Sequence, residues 1–376
     1  MTASAAPQSS IAFAPATLGR ITLSNHLVMG PMTRSRALGG VPNAMMAEYY
    51  RQRASAGLIL TEGTAPSPSG LGYARIPGLF NAEQVKGWRL TTDAVHAAGG
   101  RVFVQLMHVG RIFHQLNLPQ GAEGVAPSAV AAAGDMWTDQ EQMKPNDTPR
   151  ALTVPELATV RDEYVRSATL AIEAGFDGVE LHGANGYLLE QFLHPRTNQR
   201  TDAYGGSARN RARFVIEVAR GVADAIGADR TGIRLSPWST FNDMVHFPET
   251  DEEYGYLASE LQKIGVVYVH LVDHSRLAGL AQAATTIKVI RSAFTGCYIS
   301  SGNYSTVADI ETALESGAAD LISMSRPFIA NPDVVERLKR GLPLAAPDPA
   351  TFYAPGPKGF QEGYSDYPAA ASQVAE

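Results

Sequence analysis

The stretch Gly178-Val179-Glu180-Leu181-His182-Gly183-Ala184-Asn185-Gly186-Tyr187 joins a short apolar run to a polar, glycine-bearing turn. Before it lies an amphipathic helical stretch. That stretch opens at Thr153-Val154-Pro155-Glu156, a capping box with proline in its first turn, carries Leu157, Val160, Tyr164 and Ala168 at helical spacing, and stops at Gly175. The helix, the strand Gly178 to Leu181 and the turn make one βα unit, and the unit recurs from one end of the chain to the other. Eight strands are expected: Leu27 to Met29, Leu58 to Thr61, Val102 to Leu106, Gly178 to Leu181, Gly232 to Leu235, Val266 to Leu271, Tyr298 to Ser300 and Leu321 to Met324. Several are continuous apolar runs, as strands covered on both faces require. A further helix is expected with Asn210 as its cap, Phe214, Val218 and Val222 on its apolar face, and Gly227 as its stop. Such units predict an α/β fold, a single closed (β/α)8 TIM barrel. A doubly wound open sheet is the alternative, but no Gly-x-Gly-x-x-Gly follows the first strand.

Two regions stand outside the repeat. Arg20 to Leu23 precedes the first strand and is expected in an N-terminal hairpin that plugs the barrel floor. Residues 113–150, rich in Pro, Gly and Ala, are too long for an ordinary βα loop and are expected to form a lid after the third strand. The domain organisation is then a flexible tail over 1–10, one barrel over 11–360 with the lid inserted, and a C-terminal tail over 361–376.

With 376 residues, 45% hydrophobic and only 18% charged, the chain can bury a large core. Its net charge of -6 is spread along the chain without a basic stripe, which argues against nucleic-acid and anionic-membrane partners. The single cysteine, Cys297, excludes an internal disulfide and a four-cysteine iron-sulfur cluster, and no metal site is expected. Met1 to Ser10 lacks the basic and apolar regions of a signal peptide, and no apolar run reaches the length of a membrane span. A cytoplasmic protein acting on small molecules, as a monomer or homodimer, is expected.

In a parallel barrel the active site forms at the C-terminal ends of the strands. Pro31-Met32-Thr33-Arg34 follows the first strand, Thr61-Glu62-Gly63-Thr64 the second, Gln105-Leu106-Met107-His108 ends the third, and His182 to Tyr187 follows the fourth. Arg234 lies in the fifth, Ser301-Gly302-Asn303-Tyr304 turns out of the seventh, and Ser325-Arg326-Pro327-Phe328 leaves the eighth. A guanidinium inside the run Ile233 to Leu235 needs an anion or several acceptors, and both a bound ligand and a salt bridge to Glu180 meet that need. The glycine turn and Arg326 suit a phosphate, although an ordinary Gly-Asn turn beside a surface arginine reads the same way. His182 and Asn185 can present two donors to one acceptor atom, and the Tyr187 phenol, protonated at neutral pH, can act as a general acid. Taken singly, a satisfied loop histidine and a packing tyrosine account for them equally well.

Together these segments resemble the Old Yellow Enzyme family of FMN-dependent ene-reductases. The likeness rests on Pro31-Met32-Thr33-Arg34, Gln105-Leu106-Met107-His108-Val109-Gly110-Arg111, His182 to Leu188, and Arg200-Thr201-Asp202-Ala203-Tyr204-Gly205-Gly206-Ser207. It continues through Asn210-Arg211-x-Arg213-Phe214, Ser236-Pro237, Phe241-Asn242-Asp243-Met244 and Arg326-Pro327-Phe328-Ile329-Ala330-Asn331-Pro332-Asp333, so it runs through nearly the whole chain. It implies a tightly bound, non-covalent FMN. Thr33 would meet the flavin C4 carbonyl, Pro31 and Met32 would offer backbone contacts, Gln105 and Arg234 would hold the pyrimidine edge, and Gly63 would lie under the ring. Ser301, Gly302, Asn303, Ser325 and Arg326 resemble the phosphate grip. The implied reaction is ping-pong: hydride passes from NADPH or NADH to the flavin N5, then to the β-carbon of an α,β-unsaturated carbonyl, maleimide or nitro compound polarised by His182 and Asn185. Tyr187 would protonate the α-carbon.

Two departures stand out. Met107 occupies a place where the family usually has tryptophan, which bears on how a substrate lies, and Ser323-Met324-Ser325 replaces a glycine-containing phosphate run. Tyr73, Phe241 and Tyr353 are candidate aromatic walls of the substrate pocket, and each also reads as ordinary packing. A flavin-free aldolase or isomerase barrel would need a Schiff-base lysine or a metal cluster at a strand end, and neither is present in the sequence. A dienoyl-CoA reductase type would need more cysteines and length. A flavin-binding sensor without turnover is disfavoured because the polarising pair and the proton donor are all present.

Overall fold

The computed structural model describes residues 10–370. Eight parallel strands close into one barrel: β1 (Leu27–Met29), β2 (Leu58–Thr64), β3 (Val102–Leu106), β4 (Gly178–Gly183), β5 (Thr231–Leu235), β6 (Tyr268–Val272), β7 (Cys297–Ser301) and β8 (Leu321–Met324). Each strand pairs with the next in chain order, and β8 closes on β1 through Ile322 opposite Leu27 and Met324 opposite Met29. Around it lie α1 (Ala44–Arg51), α2 (Ala82–Ala97), α3 (Val154–Glu173), α4 (Leu188–Leu193), α5 (Ala208–Ile226), α6 (Thr250–Ile264), α7 (Ala281–Ala293) and α8 (Val307–Glu315). Strand β4 is buried over its full length, between the barrel interior and the helices, which explains why its sequence reads as a continuous run.

Local signals set most boundaries. In α3 the Glu156 carboxylate accepts the Thr153 N–H at 2.7 Å, the reciprocal arm of the expected capping box. Four expectations shift by two residues or more, the first being strand β2, which runs on to Thr64 and so takes in Glu62 and Gly63 instead of ending at Thr61. Strand β4 runs on to Gly183, so His182 is a strand residue and not part of the following loop. Strand β6 begins at Tyr268, two residues later than Val266. The cap of α5 is Ser207, whose hydroxyl accepts the Asn210 N–H at 3.3 Å; Asn210 is the third helical residue, where an N-cap side chain finds its donor.

The floor is closed as expected. Ala16–Leu18 and Ile21–Leu23 form an antiparallel hairpin, and Leu18 and Leu23 pack with Val28, Leu58, Phe103 and Ile299. At the opposite end, residues 113–150 are the expected lid, but not an unstructured one. Asp135–Thr138 and Gln142–Pro145 form a hairpin within it, and Phe113, Leu118 and Met136 pack with Met107 and Tyr187.

Only the C-terminal boundary can be compared with expectation. The flexible tail expected over 1–10 lies, apart from Ser10, outside the described residues, as do residues 371–376. The boundary expected at 360 is too early. Tyr364 is buried and stacks on Tyr49 with ring centroids 4.1 Å apart. Three buried guanidiniums hold this strap of chain. Arg34 donates to the Gly363 carbonyl at 2.6 Å, Arg36 to Thr351 at 2.8 Å, and Arg53 reaches the Tyr364 carbonyl as well as those of Phe328 and Ile329. A buried guanidinium needs several acceptors, and backbone carbonyls of the strap supply them. Among the described residues no helix is long and apolar enough to cross a membrane.

Candidate active site

Inside the upper barrel, strand register sets a layer of polar side chains. Gln105 stands opposite Glu180, and His182, Arg234 and His270 are successive neighbours on β4, β5 and β6. Glu180 is fully buried and accepts from Gln105 Nε2 at 2.7 Å, from the Tyr268 hydroxyl at 3.1 Å and, on its other contact, meets His270 Nδ1 at 2.8 Å. These three partners occupy the carboxylate. The salt bridge from Arg234 to Glu180 that the sequence left open is not formed, and the Arg234 Nε is buried with no hydrogen-bond partner among the described residues. His182 Nδ1 is buried in the same condition. Burial first, then the charge of Arg234 and the nearby His270, holds His182 well below the usual histidine range, so its ring is neutral at pH 7.

The turn after β4 is built on two left-handed residues, Asn185 at φ 58° and Gly186 at φ 76°. A Cβ on Gly186 would also stand 2.8 Å from the Asn242 Cβ, so the turn can pack against the loop after β5 only with glycine there. Tyr187 follows as the N-cap of α4 and its ring lies edge-on to that of His182, 4.9 Å between centroids. Its hydroxyl donates to the Tyr73 hydroxyl at 3.2 Å. Burial raises the Tyr187 phenol above its ordinary value, with Tyr73 and Asn242 opposing the shift. It therefore keeps its proton across the neutral range.

The remaining sequence candidates fall around this centre. Pro31 is buried, Met32 and Thr33 are half-buried at the end of β1. Met107 is 1% exposed, and its sulfur would stand 2.5 Å from a Cβ placed on Gly63, so the glycine makes room for the methionine. Tyr73 is half-buried beside Tyr187, whereas Phe241 and Tyr353 are 58% and 60% exposed, at the rim and not in the interior. Ser301, Gly302 and Asn303 leave β7 with Asn303 left-handed at φ 57°; Ser325 is half-buried and Arg326 exposed at the end of β8. Ser323 and Ser325 both crowd Gly30, their hydroxyls 2.6 and 2.3 Å from where its Cβ would be, and the Ser323 hydroxyl is buried without a partner among the described residues. Among the described residues no cluster of three His, Cys, Asp or Glu side chains is placed to hold a metal.

Several supporting residues had no role assigned from the sequence. Asn242 donates from Nδ2 to the Asn185 carbonyl at 2.8 Å, and Asp243 beside it pairs with Arg196 at 3.1 Å and with Arg111. Arg276 donates to the Gly302 carbonyl at 3.1 Å and pairs with Asp309 at 2.7 Å, fixing the turn after β7. Glu190 and Ser236 lie behind Asn185. The signal for Asn242 and Ser236 was in the sequence, as polar residues soon after β5, but their partners on β4 could not be read from spacing.

The family described as NADH:flavin oxidoreductase / NADH oxidase matches residues 12–345. Over 375 residues the chain is 38% identical to 12-oxophytodienoate reductase 7 of Oryza sativa subsp. japonica, covering 95% of this chain and 94% of that one. The structure of morphinone reductase in complex with tetrahydroNAD is similar with a TM-score of 0.89 at 40% identity, covering 97% of this chain and 99% of the other. An Old Yellow Enzyme homologue from Zymomonas mobilis is similar with a TM-score of 0.89 at 38% identity, covering 96% and 99%.

Proposed function

The chain belongs to the NADH:flavin oxidoreductase / NADH oxidase family and is an oxidoreductase of Old Yellow Enzyme type, and on that premise we propose that it is an ene-reductase. Its substrates are α,β-unsaturated carbonyl, maleimide or nitro compounds, and NADPH or NADH is the hydride source. The buried donors without partners among the described residues, Arg234 Nε and the Ser323 hydroxyl, fit FMN. Arg234, Gln105, Thr33, Pro31, Met32 and Gly63 would hold its ring, and Ser301, Gly302, Asn303, Ser325 and Arg326 its phosphate. Bound FMN supplies the two-electron chemistry, taking hydride from the nicotinamide and returning it to the alkene.

The protein's own part begins with the substrate oxygen. A neutral His182 ring donates through one nitrogen, and the Asn185 side chain donates beside it; two donors on one oxygen draw electrons from the β-carbon and stabilise the negative charge that develops as hydride arrives. Tyr187, protonated and buried beside His182, then delivers its proton to the α-carbon. The nicotinamide reductant and the alkene oxidant would use the same mouth in turn, which predicts ping-pong kinetics. Phe241 and Tyr353 at the rim and Met107 and Tyr73 inside bound the apolar part of the substrate. The observation that carries this reading is the conjunction at the end of β4 of an unpartnered, neutral histidine with a buried phenol whose proton is held through neutral pH.

Anaerobic NADPH is expected to bleach the flavin absorbance of the FMN-loaded protein, and 2-cyclohexenone to restore it. Bleaching that no enone, maleimide or nitroalkene reverses refutes the ene-reductase reading. In Tyr187→Phe, reoxidation by the enone is expected to slow about 100-fold or more while bleaching changes by less than about twofold. Equal losses in both halves would remove Tyr187 from the proton-donor role.

A further inference from the structure

Glu190 is a buried carboxylate, 3% exposed, in the first turn of α4, and nothing in the reaction so far uses it. One of its oxygens accepts the Gly186 N–H at 2.5 Å. The other accepts the hydroxyls of Ser236 at 2.7 Å and Tyr254 at 3.2 Å. The Ser236 hydroxyl accepts the Asn185 N–H at 2.7 Å. Both amides of the left-handed turn thus end on one carboxylate, Gly186 directly and Asn185 through a serine carried by the loop after β5.

A helix-capping role alone does not account for this arrangement. A glutamate at the third helical position that serves as a cap reaches back to the N–H of the N-cap residue. Here that residue is Tyr187, and its N–H goes to the Ala184 carbonyl instead, at 3.3 Å. Glu190 passes over the cap and takes the amide beyond it. The two carbonyls of the turn are held separately, Asn185 by Asn242 at 2.8 Å and Gly186 by Gln191 at 2.7 Å. The carboxylate is what fixes the N–H side of the peptides that carry the Asn185 side chain.

We propose that Glu190, acting through Ser236, is a positioning residue that sets the Asn185 side chain beside His182 for the substrate oxygen. This rests on the ene-reductase reading for its functional meaning, though not for its geometry. The groups facing the carboxylate are the Tyr254 hydroxyl from α6, Ser236 and Arg234 from β5 and its loop, and Gly186 from its own segment. Burial pushes Glu190 up to about 7, against those hydrogen bonds and the Arg234 charge. The Tyr254 phenol is raised far above its ordinary value and stays a donor in this range. As pH rises through about 7 the carboxylate ionises and accepts all three hydrogen bonds; as pH falls, one oxygen takes a proton and the clamp slackens.

The test uses the full-length FMN-loaded protein with Glu190→Ala, Glu190→Gln and Ser236→Ala. Hydrogen exchange of the segment 182–190 is measured by mass spectrometry, and the dissociation constants of FMN and of 2-cyclohexenone for the oxidised protein by titration. In Glu190→Ala the Asn185 and Gly186 amides are expected to lose protection and enone binding to weaken about tenfold, with FMN affinity unchanged within about twofold. Ser236→Ala should expose Asn185 while leaving Gly186 protected. Glu190→Gln, which keeps one acceptor oxygen but cannot ionise, should recover part of the protection and flatten the rise in enone affinity expected of the unmodified protein through pH 7. Unchanged exchange in Glu190→Ala, or FMN and enone weakened equally, overturns the proposal. Failure of the unmodified protein to bind or reduce any enone, with the amides still released by Glu190→Ala, leaves the clamp standing and defeats the ene-reductase reading instead.

Discussion

At the scale of single residues, Met107 and Gly63 form one device. A Cβ on Gly63 would meet the Met107 sulfur at 2.5 Å and its methyl at 2.6 Å, so the two positions are sized to each other. Gly63→Ala is expected to push the methionine toward the mouth, lower FMN affinity by about tenfold and change the stereochemical excess on a substituted enone. FMN retained after ultrafiltration and chiral chromatography of the product check this; unchanged values for both would show that the methionine moves without consequence. The sequence made the polar ends of the strands legible because residue type alone marks them. It left Arg234 with two readings, since whether a buried guanidinium meets Glu180 depends on what else the carboxylate binds. Tyr268 and His270 lie some ninety positions away from it, and no spacing rule brings them there.

Among the elements, those with local signals were legible and those shaped by distant contacts were not. The capping box of α3 is written in four consecutive residues, and the helix forms where it says. The cap of α5 was misplaced by three residues because Ser207 and Asn210 are both good cap residues, and only the start of the helix distinguishes them. Ser207→Ala is accordingly expected to lower stability by about 1 kcal/mol, and Asn210→Ala by less than half of that, read from chemical-denaturation midpoints. Equal effects would return the cap to Asn210. The lid's hairpin, Asp135–Thr138 with Gln142–Pro145, gave no clear alternation; its strands are short and one is almost wholly exposed. Strand β4 ran on past its apolar residues for a related reason. His182 and Gly183 extend the ladder to Arg234 and Leu235 on β5, and polarity at the barrel mouth hides that pairing from a hydropathy pattern.

The whole molecule is held shut by contacts between its two ends. Arg36 is pushed down to about 10 by burial and by the neighbouring Arg34, a sign of how much cationic charge is packed beneath the strap over 351–364. Tyr364, wholly buried against Tyr49, anchors that strap. Tyr364→Ala is expected to cost about 3–5 kcal/mol, an aromatic deletion in a site that cannot collapse, and to expose Tyr353 and the rim to protease. A denaturation midpoint within error of the unmodified protein would show that the strap is not part of the core. The barrel itself could be read from repetition, but this clasp could not. Arg34 and Gly363 are 329 positions apart and Arg36 and Phe360 are 324 apart. During synthesis the arginines therefore leave the ribosome long before the carbonyls that satisfy them exist. A nascent chain cannot bury three unsatisfied guanidiniums, so Arg34 and Arg36 stay in water until residues 351–364 have been made.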